Sequence, residues 1–266
     1  MRKIALGQAR RARAAGTLGP ASGTHPFLVH IGVVAYHLPV RIDTAGAIAW
    51  DVANWSAALR FWERAGNLTG PGLDCLEIGA HDGGLSVWLA QQGHNVVCSD
   101  LANSDGDARA VVERYGVNDL VRFEAIDATA IPYVEAFDVI VFKSVLGGVG
   151  HGGAIERQQL AVQSMHRALR PGGRLLFAEN LTGSPMHTWL RGRYVEWGAR
   201  WRYVTIDEMH AFLEPFSQLK YGTTGFFGAL GRSERQRRAL SVLDRFVMNP
   251  LIPASWHYIM YGVATK

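Results

Sequence analysis

The chain has 266 residues, 48% of them hydrophobic, and is long enough to bury the core of one large domain. Its net charge of +4 originates at the amino terminus, because residues 1–13 hold five positive charges and no acid. The remainder is nearly neutral, so its charge does not favour a nucleic-acid partner, and no apolar run reaches the roughly 18 residues that a membrane span needs.

Residues 1–70 are predicted to form an N-terminal extension that is partly helical. Residues 1–20 are rich in Arg, Ala and Gly and lack acids, which is typical of a frayed tail. A weak contact of this basic stretch with a membrane surface, or a targeting peptide, are the alternatives. Residues 47–65 are predicted to be a helix that packs in the core or lies over a ligand crevice. Its large apolar residues at helical steps are Trp50, Trp55, Leu59 and Trp62.

The two cysteines, Cys75 and Cys98, lie in predicted strands and show neither a disulfide framework nor zinc-ligand spacing. We therefore expect buried reduced thiols, as in a cytoplasmic protein.

From residue 73 onward, predicted strands and helices alternate. The strands are 73–78, 95–100, 121–126, 137–142 and 174–179, and the helices are 83–92, 105–115 and 154–169. Pro171, Gly172 and Gly173 end the last of these helices. Farther along, a capping box at 205–208 opens a helix, residues 233–246 form a charged helix, and 218–223 and 257–264 are the final strands. This order predicts an α/β fold with a doubly wound, mostly parallel sheet.

A glycine-bearing turn, residues 79–84, joins the first strand to the first helix. The dinucleotide fingerprint G-x-G-x-x-G is absent, because His81 occupies the middle glycine position and Glu77 would repel a pyrophosphate. S-adenosylmethionine, which is cationic at sulfur and nitrogen and has no phosphate, suits this turn better.

Acidic residues also end the next two strands. Asp100 is placed to accept hydrogen bonds from ribose hydroxyls, and Asp127 to accept one from an adenine amino group. Either residue alone is as easily a solvated strand end. Together with Glu77, however, they place three carboxylates at one edge of the sheet.

These stretches resemble the class I S-adenosylmethionine-dependent methyltransferases, which have a Rossmann-like fold. The matching segments are 76–83, 96–100, 127–128, 137–142 and 169–175. The resemblance implies a seven-stranded sheet with an antiparallel last strand, a methyltransferase domain at 71–266, and S-adenosylmethionine as cofactor. The implied cofactor-binding residues are Glu77, Gly79, Ala80, His81, Gly83, Asp100, Leu101, Asp127, Ala128 and Lys143.

The sequence departs from the family pattern in two places. His81 replaces a usual glycine, so that loop is expected to sit slightly farther from the cofactor. Where many relatives have a Glu-His pair, this chain has Gly147 and Gly148, which leaves a non-catalytic cofactor-binding subunit as an alternative. Lys143 disfavours the carboxylate site of magnesium-dependent relatives, so we expect no metal.

The candidates for acid–base chemistry are His151, Lys143 and, more weakly, His187 and Glu179, which follow the fifth predicted strand. A neutral histidine can remove the acceptor's proton, and a lysine can orient its oxygen. The alternatives are a solvated loop histidine, a snorkelling lysine, and catalysis by in-line alignment with no base.

The segment 182–203 is predicted to be an acceptor-binding lid. It combines aromatic surface with arginines, which suits a ring-bearing or anionic acceptor. The residues proposed for this contact are Arg193, Tyr194 and Trp197. A helix that simply packs its aromatic residues on the sheet is the alternative.

The sequence therefore predicts a cytoplasmic, bacterial, metal-independent methyltransferase that acts on a small-molecule acceptor. O-methylation of a sugar or glycan precursor, or of a secondary metabolite, is favoured. An NAD(P)-dependent oxidoreductase on a similar sheet is the alternative from another class. The sequence does not indicate an oligomeric state.

Overall fold

A computed structural model of the chain describes residues 40–70, 72–101, 105–194 and 201–266. The described residues contain seven strands. They are β1 Asp74–Ile78, β2 Asn95–Asp100, β3 Val121–Ala125, β4 Phe137–Lys143, β5 Leu169–Asn180, β6 Gln218–Thr224 and β7 Ile259–Thr265. All seven pair in one sheet in the order β3-β2-β1-β4-β5-β7-β6.

The sheet is parallel except for β7, which runs antiparallel to both β5 and β6. Strand β4 pairs in parallel with β1 on one side and β5 on the other. Its residues Val139–Phe142 are fully buried, because helices cover both faces of the sheet and no strand face is left for water. The predicted doubly wound, seven-stranded sheet with an antiparallel last strand is confirmed.

Helices lie on both faces of the sheet. In chain order they are α1 Thr44–Ile48, α2 Val52–Ala65, α3 Gly84–Ala90, α4 Asp105–Arg114, α5 Leu146–Val149, α6 Ile155–Ala168, α7 Pro185–Tyr194, α8 Ile206–Phe212, α9 Glu234–Leu243 and α10 Asn249–Leu251. A π-helical turn, Asp244–Met248, joins α9 to α10. The predicted capping box opens α8, where Thr205 and Glu208 each accept a hydrogen bond from the other's backbone N–H.

The single helix predicted for residues 47–65 is broken into α1 and α2. Between them, Ala49 and Asp51 adopt positive φ angles of 69° and 44°. The break follows from a tertiary contact, because the buried Asp51 carboxylate accepts hydrogen bonds from the Tyr258 hydroxyl and the Asn54 amide. Helical periodicity carries no sign of such a contact.

Helix α2 packs directly on the sheet. The Trp62 indole N–H donates a hydrogen bond to the Gly262 carbonyl of β7 at 3.1 Å. The described part of the predicted extension, from Val40 onward, thus belongs to the same compact unit as the sheet. The basic stretch 1–20 lies outside the described residues. Among the described helices, none combines the length and the apolar composition that crossing a bilayer requires.

Candidate active site

A crevice of about 660 Å³ opens at the carboxyl ends of β1 to β4. This is where strand order reverses, since β1 leads on one side to β2 and on the other to β4. Ligands of doubly wound sheets bind at such a switch point. Helix α1 and the turn after it form the opposite wall, with Ile48, Ala49 and Trp50.

The β1–α3 turn forms the floor of the crevice. Gly79 has a φ of 67°, and a Cβ there would lie 2.6 Å from the Val145 side chain, so only glycine fits. His81 also takes the left-handed conformation, with a φ of 52°. The turn therefore keeps a glycine-like path despite the histidine, at some conformational cost. Both residues line the crevice, with Ala80 between them.

Asp100, at the end of β2, ties two loops together. Its Oδ1 accepts a hydrogen bond from the Leu101 backbone N–H at 2.7 Å, and its Oδ2 accepts one from the His81 N–H at 3.1 Å. A carboxylate oxygen has two lone-pair sites, so each oxygen can accept a further bond from the crevice. Asp100 and Leu101 both line the crevice.

Asp127, after β3, lines the same crevice together with Ala128. Its Oδ1 accepts bonds from the Thr129 backbone N–H and hydroxyl, both at 2.8 Å. The Thr129 N–H bond, assisted by the nearby Arg157, lowers the pKa of this carboxyl. The Asp127 carboxylate therefore stays ionised, with Oδ2 placed 4.0 Å from the Arg157 guanidinium at the crevice rim.

Glu77 is the deepest acid of the crevice, only 3% exposed. Its Oε2 accepts hydrogen bonds from the Ser86 backbone N–H at 2.8 Å and from the Ser86 hydroxyl at 2.5 Å. Burial raises the pKa of Glu77 to about 8, although the Ser86 bonds and nearby Lys143 oppose the shift. A cation bound beside Glu77 would favour its ionised form.

Lys143, at the end of β4, presents an ammonium to the crevice. Its Nζ lies 5.0 Å from the ring centre of Trp50 and 4.9 Å from that of Trp55. Burial lowers the pKa of Lys143 to about 8, opposed by the charges of Asp82, Glu77, Glu179 and Asp51. Among the described residues, none of these carboxylates comes within the 4.0 Å of an ion pair with Lys143.

Two further predicted site residues, His151 and Gly83, differ in their position relative to the crevice. His151 lines the rim of the crevice and is exposed. Gly83 does not line it; it precedes α3 with a φ of 72°, and its neighbour Gly84 faces the crevice instead.

His187 does not reach the crevice either, contrary to its placement among the acid–base candidates. It is 1% exposed, and its Nε2 lies 2.8 Å from the Phe226 carbonyl oxygen. Since a carbonyl only accepts, Nε2 bears the proton, and Nδ1 accepts from the Ser184 backbone N–H at 3.1 Å. Burial also lowers the pKa of His187. The residue therefore joins α7 to the Phe226 loop as a neutral structural group.

The predicted lid is described in part. Helix α7 ends at Tyr194, whose side chain lies outside the described residues, as does all of Trp197. Arg193 is exposed on α7 and is not among the residues that line the crevice. The acceptor contacts proposed for these three residues stay predictions.

Trp201, at the end of the lid segment, lies against the two glycines that stand in place of the Glu-His pair. A Cβ on Gly147 would lie 1.6 Å from the Trp201 indole nitrogen, and one on Gly148 would lie 3.3 Å from its ring. The Arg202 backbone N–H also donates to the Gly147 carbonyl at 3.0 Å. The two glycines therefore leave space for the Trp201 indole. Since Gly148 lines the crevice, this indole lies close to it.

Glu179, at the end of β5, holds the short helix α5 beside Lys143. Its Oε2 accepts the backbone N–H groups of Val145 and Leu146 at 2.9 and 2.7 Å. Burial raises the pKa of Glu179 to about 7. The sequence indicates Glu179 only as a weak acid–base candidate. Its positioning role depends on the end of β5 meeting the loop after β4, which the sequence does not show.

The described residues contain no group of three or more His, Cys, Asp or Glu side chains arranged to hold a metal ion.

Residues 76–177 match the model of a family described as a methyltransferase domain. The matched segment runs from within β1 to within β5 and is similar to a methyltransferase domain. This family uses S-adenosylmethionine. Most of the residues that line the crevice lie within the matched segment.

Several curated relatives match part of this chain, and two of them serve as examples. The tRNA 5-carboxymethoxyuridine methyltransferase of Escherichia coli is 30% identical over 126 residues, which is 46% of this chain and 46% of the relative. The demethylmenaquinone methyltransferase of Mycobacterium tuberculosis is 31% identical over 140 residues, 49% of this chain and 53% of the relative. The chain thus spans about half the length of the curated relatives it matches.

A solved structure extends the similarity of fold over most of the chain. Phosphoethanolamine N-methyltransferase 2 of Haemonchus contortus, in complex with phosphomonomethylethanolamine and S-adenosylhomocysteine, has a TM-score of 0.58. It is 17% identical, and the match covers 80% of this chain and 52% of that protein. At this identity the likeness shows the fold alone.

Proposed function

We propose that this chain binds S-adenosylmethionine in the crevice and catalyses methyl transfer to a small-molecule acceptor, most readily to an oxygen. The observation that carries the proposal is a row of charged side chains at four neighbouring strand ends. In sheet order these are Asp127, Asp100, Glu77 and Lys143.

The three acids suit different parts of the cofactor. Asp127 is an acceptor for the adenine amino group, and Asp100 has lone pairs left for the ribose hydroxyls. Glu77 offers a buried negative charge to the cationic methionine end. When bound, S-adenosylmethionine supplies an electrophilic methyl group on a positively charged sulfur. A pyrophosphate cofactor would instead face this row of carboxylates with like charge, which argues against the oxidoreductase alternative.

Lys143 supports an oxygen acceptor. A buried cation without an ion-paired carboxylate favours an anionic or polarised oxygen beside it. The rings of Trp50 and Trp55 hold the ammonium in place, and Trp50 adds a flat apolar wall to the crevice. A carboxylate or phenol acceptor fits these groups, with Lys143 orienting the oxygen that receives the methyl group.

His151 is the base proposed for acceptors that hold a proton. The transfer forms a bond between the acceptor oxygen and the methyl carbon and breaks the bond between that carbon and sulfur. A hydroxyl acceptor must also lose its proton, and His151 is the histidine placed to take it from the crevice rim. A carboxylate acceptor needs no base, so in that case alignment alone suffices.

A small acceptor, rather than a nucleic acid, is part of the proposal. The crevice is lined by acids, which disfavour a phosphate backbone. The names of the two curated relatives specify one tRNA-modifying enzyme and one acting on demethylmenaquinone, so the family includes both kinds of acceptor.

The proposal is tested by measuring release of S-adenosylhomocysteine. The purified chain is incubated with S-adenosylmethionine and panels of carboxylic acids, phenols, sugar alcohols, amines and bulk tRNA. We expect release with an oxygen acceptor, and its loss in Asp100→Ala. Turnover with tRNA alone would overturn the small-molecule assignment. Cofactor binding with no turnover on any panel member would favour the non-catalytic subunit.

A further inference from the structure

The segment that follows α9 has an unusual distribution of apolar side chains. Between residues 242 and 256, six large apolar side chains are exposed. They are Val242, Leu243, Phe246, Val247, Leu251 and Trp256. Phe246 is 69% exposed and Leu251 is 77% exposed. We call these six side chains the 242–256 surface.

Two polar residues of the same segment, Asp244 and Asn249, face inward. The buried Asp244 accepts hydrogen bonds from the backbone N–H groups of Phe227 and Gly228 at 2.7 and 2.8 Å. Asn249 donates to the Thr224 hydroxyl at 2.8 Å and accepts from the Gly225 N–H at 3.1 Å. A surface helix ordinarily buries its apolar stripe and exposes its polar one. Here polar bonds anchor the segment, and its apolar side chains are held outward.

Arginines flank this surface and supply its charge. Arg235, Arg238, Val242 and Phe246 follow one another at steps of three and four residues, so they share one face of the helix. All four are exposed. Neither arginine has an ion-pair partner among the described residues, because the nearby Glu234 pairs with Arg237 at 2.7 Å.

We propose that the 242–256 surface docks on an anionic lipid bilayer, with Phe246 and Leu251 among the acyl chains and Arg235 and Arg238 at the lipid phosphates. Exposed Phe, Leu and Trp beside arginines are the features of an interfacial helix. A second copy fits less well, since a symmetric contact would bring the arginines of one copy near those of the other.

Docking here would place the crevice next to the bilayer. Glu234, at the start of α9, accepts a hydrogen bond from the Asp51 N–H at 2.9 Å. The Arg237 guanidinium lies 5.9 Å from the ring centre of Trp50, which lines the crevice. The docking helix and the crevice wall are therefore directly joined. This inference does not depend on the reaction that the crevice performs.

Vesicle sedimentation of the full chain tests the proposal. One set of vesicles contains phosphatidylglycerol and phosphatidylcholine in equal parts, and the other contains phosphatidylcholine alone. We expect binding to the first set, weakened by salt. The double variant Phe246→Ser with Leu251→Ser should lose at least about tenfold in affinity. Arg235→Gln with Arg238→Gln should lose a similar factor.

Matched controls replace exposed residues elsewhere. Val134→Ser with Leu160→Ser changes two exposed apolar residues, the second on α6 on the other face of the sheet. Arg64→Gln with Arg114→Gln removes two exposed arginines. Both control variants should bind as the unchanged chain does, and all variants should unfold at similar temperatures because the sites are exposed.

Three results would overturn the proposal. The first is no binding of the unchanged chain to anionic vesicles. The second is equal binding by the Phe246 and Leu251 variant, which would assign any attraction to another part such as the basic residues 1–13. The third is a concentration-dependent dimer, seen by analytical ultracentrifugation, that the same variant abolishes, which would make the surface a contact between copies.

Discussion

Asp100→Ala tests cofactor recognition, and a double-mutant cycle with a ligand analogue separates that effect from any effect on folding. In the native chain each Asp100 oxygen already accepts one backbone N–H, at 2.7 and 3.1 Å, and keeps a lone pair for a ribose hydroxyl. A hydrogen bond to a charged group contributes about 1.5–3 kcal/mol. We therefore expect the Kd for S-adenosylhomocysteine to rise roughly 10- to 150-fold.

The assay is isothermal titration calorimetry with S-adenosylhomocysteine, which binds without turnover. Asp119→Ala is the matched control, because Asp119 is exposed and precedes β3 at the opposite edge of the sheet. Thermal unfolding of Asp100→Ala should also show a loss of stability, since two loop N–H groups lose their acceptor. The ligand cycle described next removes that contribution.

An analogue that lacks the ribose 2′-hydroxyl completes a double-mutant cycle. The native chain should bind this analogue more weakly than S-adenosylhomocysteine, whereas Asp100→Ala should bind the two ligands with nearly equal affinity. A Kd within twofold of the native value in Asp100→Ala, or an equal penalty for the analogue in both proteins, would refute the assignment of Asp100 to the ribose.

Other substitutions test the acceptor side of the crevice and the fold beside it. If charged Lys143 orients the acceptor oxygen, kcat/KM should fall as pH rises through about 8, where Lys143 loses its proton. Lys143→Arg should remove the fall of kcat/KM with pH, because the guanidinium stays charged. Lys143→Met should lower kcat with little change in the Kd of the cofactor. A large rise in that Kd would instead assign Lys143 to cofactor binding. Gly147→Ala should destabilise the chain by about 1–3 kcal/mol in urea unfolding, because the new methyl group meets Trp201, whereas Gly192→Ala in α7, which meets nothing within 4 Å, should not. Arg193→Ala should raise the acceptor KM and leave cofactor affinity intact, and equal losses in both would mark α7 as scaffold. Turnover should survive EDTA, and activity abolished by chelation and restored by Mg²⁺ would contradict this.

The sequence predicts the sheet and the acidic residues at its carboxyl edge, because both follow from local patterns. Strand β2 begins and ends where predicted, at Asn95 and Asp100. Since parallel strands end at one edge, residues at those ends must converge, and Glu77, Asp100 and Asp127 do so. Pro171, Gly172 and Gly173 predict a helix end, and α6 stops just before them at Ala168. These residues lie within β5, where the register with β4 shifts.

The long-range contacts around the crevice could not be predicted from the sequence in the same way. The distance between Lys143 and Trp55 depends on how α2 packs across the sheet, more than eighty positions away in sequence. Trp201 against Gly147 likewise joins segments that only the folded chain brings together. His187 is of a residue type that can act as a base, yet both of its ring nitrogens form hydrogen bonds, one with Ser184 and one with Phe226. Residue type alone does not distinguish these roles.

The central claim is that the crevice selects an adenosyl cofactor of the methionine type over a dinucleotide, and calorimetric titration tests it most directly. S-adenosylmethionine, S-adenosylhomocysteine and NAD are titrated into the full chain under identical conditions. We predict binding of the first two, with heat consistent with one site, and no detectable binding of NAD. Binding of NAD in preference to S-adenosylmethionine, or of neither, would contradict the account.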